Sequence, residues 1–130
     1  MNLHRTVAFG YFLILLFVAA LNYIPGMTDT NGMAFGIFAL DTQDDLLHLG
    51  SALWALGATL WSARAARFYL LAFGAIYLGD GLLGLATGSG YLDLGILRNG
   101  IRPFDFTRNV MADLPHIGLG GTALLVGLRR

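Results

Sequence analysis

Between Arg5 and Asp29 the chain carries no charged side chain, and residues 6–28 are predominantly apolar. A run of that length matches the roughly 20 residues that an α-helix needs to cross the hydrocarbon core of a bilayer. In lipid no water satisfies an open backbone, so such a run is helical or it does not span. Three further stretches read the same way. Residues 46–63 hold His48 as their one titratable group, 68–92 hold Asp80 as their one charge, and 114–128 are apolar apart from His116. The last stretch is short, and its helix is expected to begin near Asn109 with Asp113 in its first turns. The expected fold is all-α: a polytopic membrane four-helix bundle made of two helical hairpins with long outer loops.

Composition agrees. The 130 residues suffice for a single transmembrane domain; they are 56% hydrophobic and 12% charged, with a mean hydropathy of +0.66. Every base is arginine, every acid is aspartate, and the formal net charge is zero, so no nucleic-acid partner is expected. Cysteine is absent, which excludes disulfides, thiolate metal sites and thiol catalysis. Arg5, Arg64, Arg67, Arg129 and Arg130 fall at one set of helix ends. Arg98, Arg102 and Arg108 fall at the other, diluted by Asp29, Asp41, Asp44, Asp45, Asp93 and Asp105. The positive-inside rule then places both termini in the cytoplasm and both long loops outside. Val18-Ala19-Ala20 after the apolar run has the look of a signal-peptide cleavage site, but the run is long for one and a retained first helix is expected.

The chain also repeats itself. At an offset of 68 positions, Tyr23, Asn31, Gly32, Phe38, Asp45, Leu46, His48 and Gly50 all meet identical residues. Repeat one covers about 6–63 and repeat two about 68–130, joined by the turn Arg64-Ala65-Ala66-Arg67. Hairpins repeated in one orientation are related by an axis along the membrane normal. Both copies have an Asn-Gly turn dipeptide, followed by aromatics: Phe35 and Phe38, then Phe104 and Phe106. These loops are apolar enough to lie on the outer membrane surface or to fold over the bundle. The charges suit contact between the acidic first loop and the arginines of the second. Tyr23, Trp61, Tyr69 and Tyr91 are expected as interfacial anchors, and His4 as an interfacial residue. Glycines 74, 79, 81, 84 and 88, then 118, 120, 121 and 127, predict close helix packing inside the bundle, with a homo-oligomer seam as the alternative.

Two features could carry chemistry. The duplicated Asp-x-x-His units, Asp45 with His48 and Asp113 with His116, put each pair on one helix face. Brought together they would suit one divalent metal such as zinc, manganese or iron; the two histidines could instead ligate haem b. The simpler reading is structural, with each aspartate capping a helix start and complementing its dipole; Thr42 and Asp45 resemble a capping box. Asp80 stands near the middle of its stretch, where an ionised carboxylate costs several kcal/mol. It is read as a buried hydrogen-bonding group, with Thr122, Trp54 or Tyr11 as partner, or as a proton relay. No phosphate loop, nucleophile elbow or zincin motif is present.

Gly36-Ile37-Phe38 running to Asp45-Leu46-Leu47-His48, Ala65-Ala66-Arg67-Phe68-Tyr69, Gly74-Ala75-Ile76-Tyr77-Leu78, Leu82-Leu83-Gly84-Leu85 and Asp113-Leu114-Pro115-His116 together form a pattern. Through it the chain resembles small four-span bacterial membrane proteins of a domain-of-unknown-function family, which have a helix-start histidine in each half. Asp44-Asp45 stands where that family often has Asn, and Pro115 is a second departure. The resemblance implies fold and location and no activity. The expected function is therefore that of a non-enzymatic structural or accessory membrane component, in contact with lipid and with an unidentified membrane partner or its own copies. The alternatives are metal or haem binding at His48 and His116, and a proton-linked carrier using Asp80.

Overall fold

A computed structural model of the protein describes residues 2–28, 30, 42–92 and 94–129, apart from the side chains of Asn22, Thr42 and Gln43. Among these residues the regular structure is all helical: α1 Leu3–Ala20, α2 Thr42–Trp61, α3 Ala63–Thr87, α4 Gly95–Asn99 and α5 Leu114–Leu128. A 3₁₀ turn, Leu21–Tyr23, extends α1, and a π turn, Thr107–Met111, precedes α5. Three segments are long and apolar enough to cross a membrane: Leu3–Ala20, Ala63–Thr87 and Thr107–Leu128. The start expected near Asn109 is thus found at Thr107. The helix α2 has the length, at 20 residues, but is not among the three. Asp44, Asp45 and His48 crowd its first turns and dilute its apolar character. The loop with Asn31, Phe35 and Phe38, and the Thr42 hydroxyl of the expected capping box, lie outside the described residues.

The chain divides into two compact units, Met1–Ala66 and Arg67–Arg130. In the first, α1 starts at Asn2, whose side chain accepts the Arg5 amide at 2.9 Å, an ordinary N-cap. Ala8, Tyr11, Leu15 and Ala19 form its buried stripe, and α2 buries Ala52, Ala55 and Ala58. This seam is rich in alanine, which lets two helices approach closely where lipid supplies no hydrophobic drive. The rest of α1 stays apolar outward, with Phe9, Leu13, Ile14, Leu16 and Phe17 exposed. A helix apolar on its exposed face is suited to lipid. His4, near the start of the helix, is buried as well.

In the second unit glycine sets the approach of α3 and α5. A Cβ on Gly74 would stand 2.5 Å from the Leu124 amide nitrogen, and one on Gly120 would collide with the Leu78 amide. The expectation of intramolecular glycine packing holds for this pair. Gly118 and Gly121 meet nothing within 4 Å. Tyr69 is fully buried, stacking on Phe73 with centroids 5.2 Å apart, so it is a core residue and not an interfacial anchor. Trp61 and Tyr23 are exposed.

Each unit ends its second long helix in the same way. Arg5 Nε donates to the Thr59 carbonyl at 2.8 Å, and Arg67 Nε donates to the Gly127 carbonyl at 2.8 Å. Thr59 and Gly127 correspond at the repeat offset. The last carbonyls of a helix have no partner within it and carry the negative end of its dipole, so an arginine there both bonds and neutralises. Replacing Arg67 by Met keeps the apolar stem and removes the donor; the loss expected on unfolding in detergent is about 1 kcal/mol. An unchanged midpoint would show that the bond contributes nothing.

Candidate metal centre

The helix α3 continues to Thr87, so Asp80 lies seven residues, roughly 10 Å at 1.5 Å per residue, before its end. It stands five residues past the midpoint of the helix at Ala75, displaced toward its C-terminal end. Asp80 is 3% exposed, and its partners are not those expected. One oxygen, Oδ1, accepts the backbone amides of Tyr91 at 2.8 Å and Leu92 at 2.9 Å. The other, Oδ2, lies 2.6 Å from Nδ1 of His116. The carboxylate thus ties the chain after α3 back onto that helix and fixes one edge of an imidazole carried by α5. Tyr77, one turn before Asp80, meets the His116 ring edge-on at 5.2 Å.

Asp113 completes the group. It is the residue just before α5, and its side chain makes no capping hydrogen bond to that helix, so the capping reading fails for this copy. Asp45, by contrast, is inside the first turn of α2, buried, and accepts a hydrogen bond from the Tyr23 hydroxyl at 3.3 Å. Pro115 accounts for part of the difference. At the second helical position it removes an N–H that would have had no intrahelical partner. The π turn just upstream is a rare element that recurs at functional sites.

The ligand atoms of Asp80, Asp113 and His116 all lie within 4.8 Å of one another. Three glycines make the cluster possible. A Cβ on Gly84 would fall within the Asp113 carboxylate, one on Gly90 would collide with Asp80 Oδ1, and one on Gly81 would stand 3.2 Å from the His116 Cβ and 2.6 Å from Ile117. In the first repeat the corresponding positions are Leu16, Asn22 and Leu13, and Asp80 corresponds to Phe12. The duplicated motif supplies two of the three groups, and the third comes from outside it. Asp45 and His48, paired in the sequence reading with Asp113 and His116, belong to the first unit.

No family profile, curated protein or solved structure matches the chain.

Tyr91, the repeat counterpart of Tyr23, turns away from the aspartate of its own copy. Its hydroxyl donates to the Ile76 carbonyl, and its ring lies over Gly79. Burial, and next the Asp80 charge, raise the phenol above its ordinary range, so it remains a donor at neutral pH. Asn109 is 1% exposed and binds the Leu85 carbonyl through Nδ2 at 3.1 Å while accepting the Asp105 amide at 3.2 Å. It locks the π turn to α3 and thereby sets where Asp113 emerges. Glycine spacing in the sequence could have flagged this site: Gly81 and Gly84 share the face of α3 that carries Asp80 and Tyr77.

Proposed function

We propose that this protein is a multi-pass membrane protein that binds one divalent metal ion through Asp80, Asp113 and His116, as a binding component and not an enzyme. The single observation that carries the reading is the convergence of two carboxylates and one imidazole within 4.8 Å. Ions bound by such donors have bonds near 2.0–2.2 Å, so ligand atoms about 4 Å apart can share one, and closure by under about 1 Å suffices. Mixed carboxylate and imidazole donors suit zinc, manganese or iron(II). A divalent cation would also offset the charge of two carboxylates placed near lipid, which is otherwise costly. Asp80 Oδ2 and His116 Nδ1 stand 2.6 Å apart, so an ion shared by the two would take the place of the proton between them, and binding would release that proton.

The proposed architecture is two duplicated hairpins forming a four-helix membrane bundle in the inner membrane, with both termini cytoplasmic. Supporting it are the matching arginine caps at Thr59 and Gly127, the two compact units and the arginine bias of the sequence. On that topology the metal lies toward the outer face.

Equilibrium dialysis of detergent-purified protein against Zn²⁺ or Mn²⁺ tests the reading. One ion per chain is expected, with Asp113→Asn and His116→Ala each weakening binding by more than the roughly 10- to 100-fold that loss of a group merely supporting a ligand costs, and His48→Ala leaving it unchanged. Loss of binding in His48→Ala would instead support a site shared with the first repeat. A Soret band in the purified protein would assign the histidines to haem b. Absence of any stoichiometric ion would reject the proposal.

A further inference from the structure

The segment between α3 and the π turn exposes more apolar surface than a connecting loop needs. Leu97 and Ile101 are each 79% exposed, Phe104 is 70% and Phe106 is 60%. Leu94 is also exposed, and sits in the left-handed region at φ 61° as the chain turns into α4. That conformation is unfavourable for a side chain with a Cβ. The apolar residues are held outward by a firm scaffold. The Ile96 amide donates to the Gly90 carbonyl at 2.7 Å, the Arg102 amide to the Thr87 carbonyl at 2.8 Å, and Arg102 Nε to Ser89 Oγ at 3.1 Å. Leu97 lies within α4, Leu94 and Ile101 lie on either side of it, and the exposed Arg98 follows Leu97 in the last turn.

We propose that residues 94–106 are a lipid-interface anchor, seated in the headgroup and upper acyl region of the bilayer that α3 and α5 cross. The inference rests on the membrane-spanning reading above and goes beyond it. Both ends of the segment are tethered to apolar helices long enough to span, so the lipid headgroup layer is the surface held next to it. Aromatic and aliphatic side chains that enter this layer descend about 5–10 Å, while arginine reaches phosphate. Seated this way, the segment holds the outer end of α3, and with it the turn that donates the Tyr91 and Leu92 amides to Asp80, at a fixed depth.

The chain has no cysteine, so single nitroxide labels can be placed at Leu97→Cys, Phe104→Cys, Asn99→Cys and Leu13→Cys in otherwise unaltered protein. All four positions are exposed, so the replacements leave the core intact. In phosphatidylcholine liposomes, labels at 97 and 104 are expected to collide with dissolved oxygen several-fold more, relative to a water-soluble nickel chelate, than the label at 99. The label at 13, on the exposed face of α1, is expected to be shielded from nickel. Nickel access at 97 and 104 with shielding at 13 would overturn the anchor and leave the spanning reading standing. Nickel access at all four positions would overturn both. Shielding of 97 and 104 from oxygen and nickel alike would overturn the anchor in favour of a protein contact.

Discussion

Gly120→Ala is expected to destabilise the second unit, whereas Gly121→Ala, one residue along the same helix, is expected to leave it unchanged or stabilise it. In an exposed helix interior alanine is favoured over glycine by about 0.8–1 kcal/mol. Gly121 meets nothing within 4 Å of an added Cβ, so that gain should appear there. At Gly120 the new methyl would collide with the Leu78 amide and stand 3.0 Å from the Gly74 carbonyl. Backbone atoms cannot rotate away, so the two helices would have to separate. Overpacking of this kind costs about 1–3 kcal/mol, enough to reverse the propensity gain, and Gly120→Leu should exceed the upper figure. Chemical unfolding in detergent reads both substitutions. Equal midpoints for Gly120→Ala and Gly121→Ala would mean that α3 and α5 are not held together by backbone contact at this point.

The same contact explains how far the sequence could be read. Helices were legible because hydropathy acts locally: the uncharged run before Asp29 and the single-charge stretch around Asp80 state their conformation without reference to the rest of the chain. Even there α2 shows the limit, since Asp44, Asp45 and His48 leave it long enough but not apolar enough to join the other three. The Asp80 partner was not legible, because it depends on how α3 and α5 are rotated against each other. That rotation is set by Gly74 and Gly120, whose effect is the absence of a side chain. The repeat singled out Asp113 and His116 but could not single out Asp80, which stands beside them and has no acidic counterpart in the first copy. Identity at a fixed offset marks equivalent positions, but convergence also requires room, and Gly81, Gly84 and Gly90 exist only in the second copy. The Asn-Gly dipeptide was half right: Asn99 closes α4 in helical conformation, and Gly100 alone takes positive φ, at 62°.

Asp80→Ala is expected to be the most damaging single change in the proposed centre, and to act before any metal is added. Two backbone amides and one imidazole lose their acceptor together. Hydrogen bonds to a charged group contribute about 1.5–3 kcal/mol each and are not additive, so a loss of about 3 kcal/mol is a reasonable expectation for the set. Asp80→Asn separates the two halves of that role. Its carbonyl oxygen can still accept from Tyr91 and Leu92, while its amide group must face His116 Nδ1, which then has to act as acceptor. Asn should therefore retain about half the stability. Hydrogen exchange at the Tyr91 and Leu92 amides gives a local readout: protected in the native chain, partly protected in Asp80→Asn, and fast in Asp80→Ala. Metal supplies the second arm. An ion at a hundredfold excess over Kd stabilises the native state by about 2.7 kcal/mol, and that increment should vanish in Asp80→Ala. Asp113→Asn, which leaves the loop amides bonded to Asp80, should lose most of the metal increment while keeping amide protection. If Asp113→Asn instead exposed those amides, the cluster would be a single hydrogen-bonded brace with no separate ligand role. If Asp80→Ala kept both protection and midpoint, the carboxylate would not be what holds the turn to α3.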